Sequence, residues 1–335
     1  MHRRRNRIAT LSLLLLQWPL LASCATTPAT HYAAHPEARA FIDEMVERHR
    51  LPRTEVEAAL AQAERQQSIL DAISRPAEAK PWRDYRPIFL TEARIAGGAD
   101  FWNGNAAILE ETSAHFGVDT DVIVAIIGVE TRYGSHTGRY RVLDALATLA
   151  FDYPPRSGFF RGELEQFFLL AREEEIDPLE AKGSYAGAMG QGQFIPSSYR
   201  RYAVDFDGDG RRDLWNSQRD VLGSVANYLK VHGWEKGAPV VARAQVDGDA
   251  YRTLLDKGLK PHLPAGELAR YGVSTTEPIP AETPVALIEL EGAEGPEQWV
   301  VFNNFYVITR YNRSPLYAMA VHQLGAEIAA RRDAR

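Results

Sequence analysis

Three stretches of the 335-residue chain carry residue types and spacings that can do chemistry. The first is residues 122–130, VIVAIIGVE, where a largely apolar run ends in one carboxylate. At helical spacing Ile123, Ile127 and Glu130 share a face, which places the Glu130 carboxyl at the end of a core helix, partly out of water. Desolvation disfavours the charged form of a carboxyl, so a group held there can keep a proton near neutral pH and donate it. A helix-capping or ion-paired glutamate, with Arg132 as the partner at hand, is the structural alternative, and this stretch alone does not separate the two.

The second stretch is residues 205–216, DFDGDGRRDLWN. Asp205, Asp207 and Asp209 stand at positions one, three and five with a glycine following, which is the opening of an EF-hand Ca²⁺ loop, and the Arg211 carbonyl falls where a fourth ligand is due. Position twelve is Asn216 instead of a bidentate glutamate, which leaves Asp220 to close a lengthened loop. Three aspartates this close repel one another without a cation, so Ca²⁺ is expected over a merely solvated turn. The third stretch, residues 183–197, GSYAGAMGQGQFIPS, packs four glycines into its first ten positions and is expected to let a backbone approach a ligand closely. It lacks the ordered GxGxxG and no strand precedes it, which argues against a nucleotide, and the interleaved Tyr185, Met189, Phe194 and Ile195 argue against a mobile surface loop.

Helices must position these stretches. Apolar periodicity predicts helices from Pro36 to about Arg65, with Phe41, Met45, Val56 and Leu60 inward and a capping box TEVE at residues 54–57 opening the second. Residues 74–87, with Pro76, Pro81 and Pro87, read as an irregular connector. Residues 100–116 form one amphipathic segment closed by Gly117, and Asp119 is placed to cap the helix that leads to Glu130. Further helices are expected over 141–151, 159–174 and 222–228, and a last one from Leu316 to about Arg331. Between them, residues 236–302 turn rich in Pro, Gly, Val and Thr, with strands at 285–290 and 299–302, and read as a small β insertion.

The N-terminus reads as an export signal: Arg3, Arg4, Arg5 and Arg7 precede an apolar run that ends in LASC at residues 21–24. The tetrapeptide resembles a bacterial lipobox, which would lipidate Cys24 and make it the first mature residue. Cys24 is the only cysteine, so no internal disulfide is possible. The run is too short to span a bilayer comfortably, and residues 25–35 read as a polar tether, so the expectation is a protein anchored to a membrane. Ala25 after the cysteine, where an aspartate would signal retention, points to the outer membrane. The chain carries 38 basic and 44 acidic residues, a net charge of −6, and losing residues 1–23 removes four arginines, leaving 34 against 44, or −10. The net acidic balance argues against nucleic acid as the partner, although local clefts can differ from the total. The nine histidines show no HExxH or comparable metal spacing.

The lipobox, GVETRYG at 128–134, GAMGQGQF at 187–194, the Asp205 loop and NNFYVITRYNRS at 303–314 together resemble, in order and spacing, the membrane-bound lytic murein transglycosylases of the B type. The resemblance runs from about Pro81 to the C-terminal helix. It implies a mainly α (α+β) fold: a goose-lysozyme-like catalytic core over 81–235 and 303–335 holding an EF-hand-like loop at 205–220, a helical N-terminal domain over 36–80, and a small β domain over 236–302. Its single catalytic acid falls on Glu130. The same motif matching puts Ser184 and Gln193 against the sugar, Ser184 near the N-acetyl group, and places Arg156, Tyr228, Tyr311, Asn312 and Tyr317 along the cleft. Gln191 stands where the family commonly has a bulky aromatic, which is expected to alter the shape of a subsite.

Ordinary glycosidases need two carboxylates. Only Glu130 has the required apolar setting; Asp144, Asp152 and Glu163 are near in sequence but read as solvated surface groups. The resemblance supplies a route for one carboxylate: Glu130 protonates the glycosidic oxygen, then takes the proton of the muramyl 6-hydroxyl as that oxygen attacks the anomeric carbon, leaving a 1,6-anhydro sugar. The expected activity is therefore cleavage of the MurNAc-GlcNAc β-1,4 bond of peptidoglycan by a lyase of the cell envelope, facing the periplasm, with structural Ca²⁺, no organic cofactor, and cell-wall synthesis or hydrolysis complexes as partners. A water-using muramidase and a non-catalytic murein-binding lipoprotein are the competing readings. Calcium sensing is a weaker one, because a single site without a paired EF-hand lacks the apparatus of a sensor.

Overall fold

The computed structural model describes residues 32–74 and 80–334. The expected leader and Cys24 lie outside the described residues. Fourteen α-helices appear among those described: α1 Pro36–His49, α2 Arg53–Gln62, α3 Gln67–Ile73, α4 Trp82–Phe89, α5 Glu92–Gly104, α6 Ala106–Phe116, α7 Thr120–Thr131, α8 Val142–Phe151, α9 Ser157–Glu173, α10 Pro196–Tyr202, α11 Gln218–Val231, α12 Arg252–Leu255, α13 Asn303–Tyr311 and α14 Pro315–Asp333. Among the described residues no single helix is long and apolar enough to cross a membrane.

α7 is apolar on every side, with residues 122–129 all buried, which is the mark of a helix packed all round by others. α14 crosses it at Gly325, where a Cβ would lie 3.1 Å from the Asp121 carbonyl oxygen, so the missing side chain lets the two backbones approach. The N-terminal helices are laid on α8 and α9. Phe41 packs on Phe168 at 5.9 Å between ring centroids and on Phe151 at 6.2 Å, and their apolar residues join the same continuous core as those of α7. Tyr32 is buried and its hydroxyl donates to Asp152, so the chain is already docked within the segment expected to be tether.

Two sheets complete the fold. A short antiparallel ribbon pairs β1 Tyr140–Arg141 with β2 Lys182–Gly183 and ties the loop after α7 to the glycine-rich segment. The insertion holds an antiparallel sheet of β3 Val241–Val246, β4 Leu263–Pro264, β5 Val273–Thr275, β6 Pro284–Gly292 and β7 Gly295–Val301 in the order β4-β6-β7-β3-β5. One face of this sheet closes over its own apolar cluster, which includes Tyr251, Leu287 and Val300, while Ile288, Leu290 and Val301 join the main core. Alternate residues point to opposite faces of a strand, which is how one hairpin serves two cores. Buried Asn304 fixes the crossing between core and insertion: its Oδ1 accepts from Glu235 N and its Nδ2 donates to the carbonyls of Glu235 and Ala238.

Several local expectations are corrected. The second helix starts at Arg53 with Pro52 in the cap position, and Thr54 lies inside the first turn instead of capping it. Residues 82–87 of the expected connector belong to α4, with Pro87 inside the helix and buried Trp82 and Tyr85 fixing it to the core. The 100–116 segment is two helices broken at Asn105, though Gly117 does end the second in the left-handed conformation. Asp119 occupies the N-cap position of α7, but its carboxylate accepts from Trp234 Nε1 and Gly237 N and makes no cap bond.

Candidate active site

Glu130 is the next-to-last residue of α7 and is half-buried at its C-terminal end. Arg132, Tyr133 and Gly134 then follow in the left-handed conformation with φ of 49°, 59° and 82°, so the chain reverses at once. Five contacts hold this end. Tyr133 folds back over Gly128, where a Cβ would stand 2.6 Å from the tyrosine oxygen, and its hydroxyl donates to the Arg94 carbonyl at 2.8 Å. The buried Arg94 guanidinium donates to the Gly128 carbonyl at 3.0 Å, a cation placed on the negative end of the helix. Thr131 Oγ1 donates to the Gln191 carbonyl at 2.9 Å and accepts from Gly134 N at 3.0 Å. Gln191 in turn donates its N–H to the Leu214 carbonyl and its side-chain amide to that of Trp215, joining the acid-bearing helix to the aspartate-rich loop.

The Glu130 carboxylate receives a hydrogen bond from Tyr317 Oη at 2.6 Å. Tyr317 lies buried at the start of α14, where Ser314 caps the helix by accepting from the Tyr317 N–H. Burial first, and the nearby Glu130 charge second, push the Tyr317 phenol well above its ordinary pKa, and the same two causes act on Tyr311. Both hydroxyls therefore stay protonated, and that of Tyr317 donates to the carboxylate. Tyr311 Oη donates to the Gly192 carbonyl at 2.6 Å.

Beside this pair runs a groove of ≈ 810 Å³ lined in part by Arg156, Gln193, Phe194, Tyr228, Tyr311 and Asn312. Five of the residues that the resemblance assigned to the cleft thus line one groove. Tyr228 packs edge-on to Tyr311 at 4.8 Å and donates to the Arg310 carbonyl; burial pushes its pKa up to about 12. Ser184 is tied down locally, its Oγ accepting from Ala186 N and Ala188 N, and Ala186 lines the groove. Gln193 sits at φ 52° with its amide nitrogen donating to the carbonyls of Thr137 and Gly190.

The glycines of residues 183–192 pack closely against the protein's own atoms. A Cβ on Gly183 would stand 2.3 Å from the Ala188 carbonyl oxygen, and one on Gly190 2.4 Å from that of Leu214, so the segment is folded tightly on the protein itself. Gln191 is buried and bonded to Trp215 and Gln218, so it does not shape a subsite as expected. Of the other carboxylates near in sequence, Asp152 is half-buried and bonded to Tyr32, and two are not solvated as expected. Asp144 is buried and accepts from Arg141 and from Glu64 N. Glu163 is buried and accepts from both the backbone and hydroxyl of Ser197 at the start of α10.

Ligand oxygens of Asp205, Asp207 and Asp209 all lie within 4.8 Å of one another on the surface. Three carboxylates sharing one centre at Ca²⁺–oxygen distances of about 2.4 Å would be separated by no more than about 4.8 Å, so the donor set and spacing fit a hard cation. The loop wraps inward through N–H groups of Gly208, Asp209 and Gly210 donating to Asp205. Asp220 is not a ligand in this arrangement. It is fully buried, and its oxygens accept from the N–H groups of Phe206, Asp207 and Asp213, which shapes the loop from beneath.

A single acid at a helix end, gripped by a tyrosine beside an aromatic groove on a mainly helical, lysozyme-like core, is the layout of a glycan-cleaving lytic enzyme. Residues 33–326 match the transglycosylase SLT domain family. The chain is 44% identical over 313 residues, 90% of its own length and 85% of the relative's, to membrane-bound lytic murein transglycosylase B of Escherichia coli. It superposes on the catenated lytic transglycosylase SltB1 of Pseudomonas aeruginosa with a TM-score of 0.85 at 50% identity, covering 90% of this chain and 99% of that one. Against the Escherichia coli lytic transglycosylase Slt35 in complex with calcium the TM-score is 0.83 at 43% identity, covering 92% and 98%. The chain belongs to the transglycosylase SLT domain family and is a lytic transglycosylase.

Arg94, Thr131 and Tyr133 are the site residues that reading the sequence missed. Thr131 and Tyr133 stood inside the motif beside Glu130 and could have been singled out. Arg94 is 34 residues away from the carbonyl it binds, and no local pattern marks it.

Proposed function

We propose that Glu130 is the sole acid–base of an enzyme that cleaves the MurNAc-GlcNAc β-1,4 bond of peptidoglycan and closes a 1,6-anhydro ring on the muramyl product. The observation that carries this reading is the Tyr317 hydroxyl bonded to Glu130 beside the groove, while Asp144 and Glu163 are committed elsewhere. Glu130 gives its proton to the glycosidic oxygen as the bond to the anomeric carbon breaks. The carboxylate left behind is charged, and the Tyr317 O–H donates to it more strongly than to the neutral acid. That carboxylate then removes the proton of the muramyl 6-hydroxyl as its oxygen bonds the anomeric carbon, which returns Glu130 to its starting state without water being consumed. Arg156, Gln193, Tyr228, Tyr311 and Asn312 supply the walls that hold the sugar, and Ser184 the edge near the N-acetyl group.

Asp205, Asp207 and Asp209, with the Arg211 carbonyl, would hold a structural Ca²⁺, as the fit of their oxygens supports. Bound there, the ion offsets the repulsion of the three carboxylates and stiffens the loop that Gln191 links to the Glu130 helix. The envelope placement follows from the substrate, with lipidation of Cys24 as the anchor to the outer membrane and the periplasm as the working compartment; cell-wall synthesis or hydrolysis complexes are the partners such a placement offers. The division into a helical N-terminal domain, a catalytic core and a β domain at the boundaries given above belongs to the same reading. Glu130→Gln keeps shape and hydrogen bonding but cannot donate and regain a proton, so turnover on purified sacculi should fall by about 10²–10⁴-fold with saccharide binding retained. Near-normal turnover by this variant would remove Glu130 from the mechanism.

A further inference from the structure

The groove beside Glu130 is charged in a way that the chain as a whole is not. Arg156, Arg201, Arg310 and Arg313 all line it, and among the described residues no Asp or Glu does, in a protein whose net charge is −6. None of the four guanidiniums has a carboxylate within ion-pair distance among the described residues, although most of the other described arginines do. Aromatic rings support three of them instead. Arg156 lies 4.5 Å from the Phe159 ring centre, Arg201 5.3 Å from that of Tyr202, and Arg310 5.9 Å from that of Tyr306. A guanidinium resting on a ring keeps its N–H edge outward, in the fork geometry that pairs with a carboxylate through two parallel hydrogen bonds. Glu163, the acid behind the groove wall, is buried with both oxygens taken by Ser197, so it does not occupy the arginines.

A glycan backbone of N-acetylated sugars has no charge for these arginines to meet. In peptidoglycan the charge is on the lactyl arm of each muramyl residue, either as its own free carboxylate or as carboxylates of the peptide attached to it. We propose that Arg201, Arg310 and Arg313 form a carboxylate-binding strip that reads the acidic arms of the muramyl residues as the strand lies in the groove. This rests on the peptidoglycan reading above and adds a determinant of which strands are cut fastest. Electrostatic focusing by a positive cleft on an acidic protein also draws anionic strands towards the acid at its edge. The charge is already felt by the groove's own groups: His232, stacked on Tyr228 at 4.2 Å, has its pKa lowered by burial and then by Arg310 and Arg201.

The test compares wild type with the triple variant Arg201→Gln, Arg310→Gln, Arg313→Gln on three substrates. These are peptide-bearing strands, strands stripped of peptide by an amidase so that only lactyl carboxylates remain, and peptide-bearing strands whose carboxylates have been converted to amides. Wild type should lose about 3- to 30-fold in kcat/KM on the amidated strands, mostly through KM, as expected when a few solvent-facing ion pairs disappear together. The triple variant should show that loss already on native strands and no further loss on amidated ones. Stripped strands identify the source: full wild-type efficiency assigns the contact to the lactyl carboxylate, reduced efficiency to the peptide. Equal wild-type efficiency on native and amidated strands, or a triple variant that still discriminates between them, overturns the strip. Wild type inactive on every strand would instead refute the peptidoglycan reading, and circular dichroism of the variant checks that it folds.

Discussion

Tyr317→Phe tests the grip on the acid with the loss of one oxygen atom. The side chain is buried at 2% exposure and its hydroxyl donates to Glu130 Oε1 at 2.6 Å, so phenylalanine fills the same space and only the hydrogen bond disappears. While Glu130 holds its proton the bond joins neutral groups and is worth about 1 kcal/mol, whereas against the carboxylate formed on proton transfer it is worth about 1.5–3 kcal/mol. Only the difference, about 0.5–2 kcal/mol, acts on the barrier, which corresponds to roughly 2- to 30-fold in kcat. KM should hardly change, because Tyr317 touches the acid and not the groove wall. Steady-state kinetics on defined glycan strands separate the two parameters. A variant with unchanged kcat and a raised KM would overturn this role, since it would make Tyr317 a substrate contact; a kcat loss far beyond 100-fold would mean that it moves a proton itself.

Gly128→Ala should lower both stability and kcat, because the added methyl meets the Tyr133 ring at 2.6–2.8 Å and overpacking of this kind costs about 1–3 kcal/mol; thermal melts beside kinetics check this, and an unchanged kcat would show that Tyr133 does not position Glu130. Calcium should raise the melting temperature by mass action, and Asp207→Asn should blunt that shift; a melting curve indifferent to Ca²⁺ and chelator would remove the ion. Half-buried His322 has its pKa lowered by burial from 6.5 to about 4. The unfolded chain therefore binds the proton more readily, so stability present above pH 6.5 is lost as pH falls towards pH 4. His322→Gln should flatten that slope in denaturant titrations across the same range, and an identical slope in the variant would place the acid sensitivity elsewhere.

The acid and the aspartate loop were legible because their signals are local. An apolar run ending in one carboxylate predicts a buried helix with an acid at its end, and alternating aspartates around glycines predict their convergence. The groove residues Arg156, Tyr228, Tyr311 and Asn312, and Tyr317 beside the acid, could be assigned only through the family resemblance, since Tyr317 meets Glu130 across 187 positions of chain. Burial decided the errors. Asp144 and Glu163 look like surface acids in sequence and Asp220 like a metal ligand, yet each is inside and spends its oxygens on backbone or side-chain donors brought in by tertiary packing. The glycine-rich stretch showed that backbones come close but not to what, and the partner turned out to be the protein itself. Arg94 could not be found at all, because a cation that caps a helix from another element leaves no spacing to read.

The proposed mechanism turns on one carboxylate working without water, closing the muramyl 6-oxygen onto the anomeric carbon. Mass spectrometry of the fragments released from purified sacculi reads this out. Muramyl ends should appear in the anhydro form, with no water gained per cut and no label taken up from ¹⁸O-water. Products heavier by one water at each cut, carrying the label, would make the enzyme a hydrolase and end the single-carboxylate mechanism.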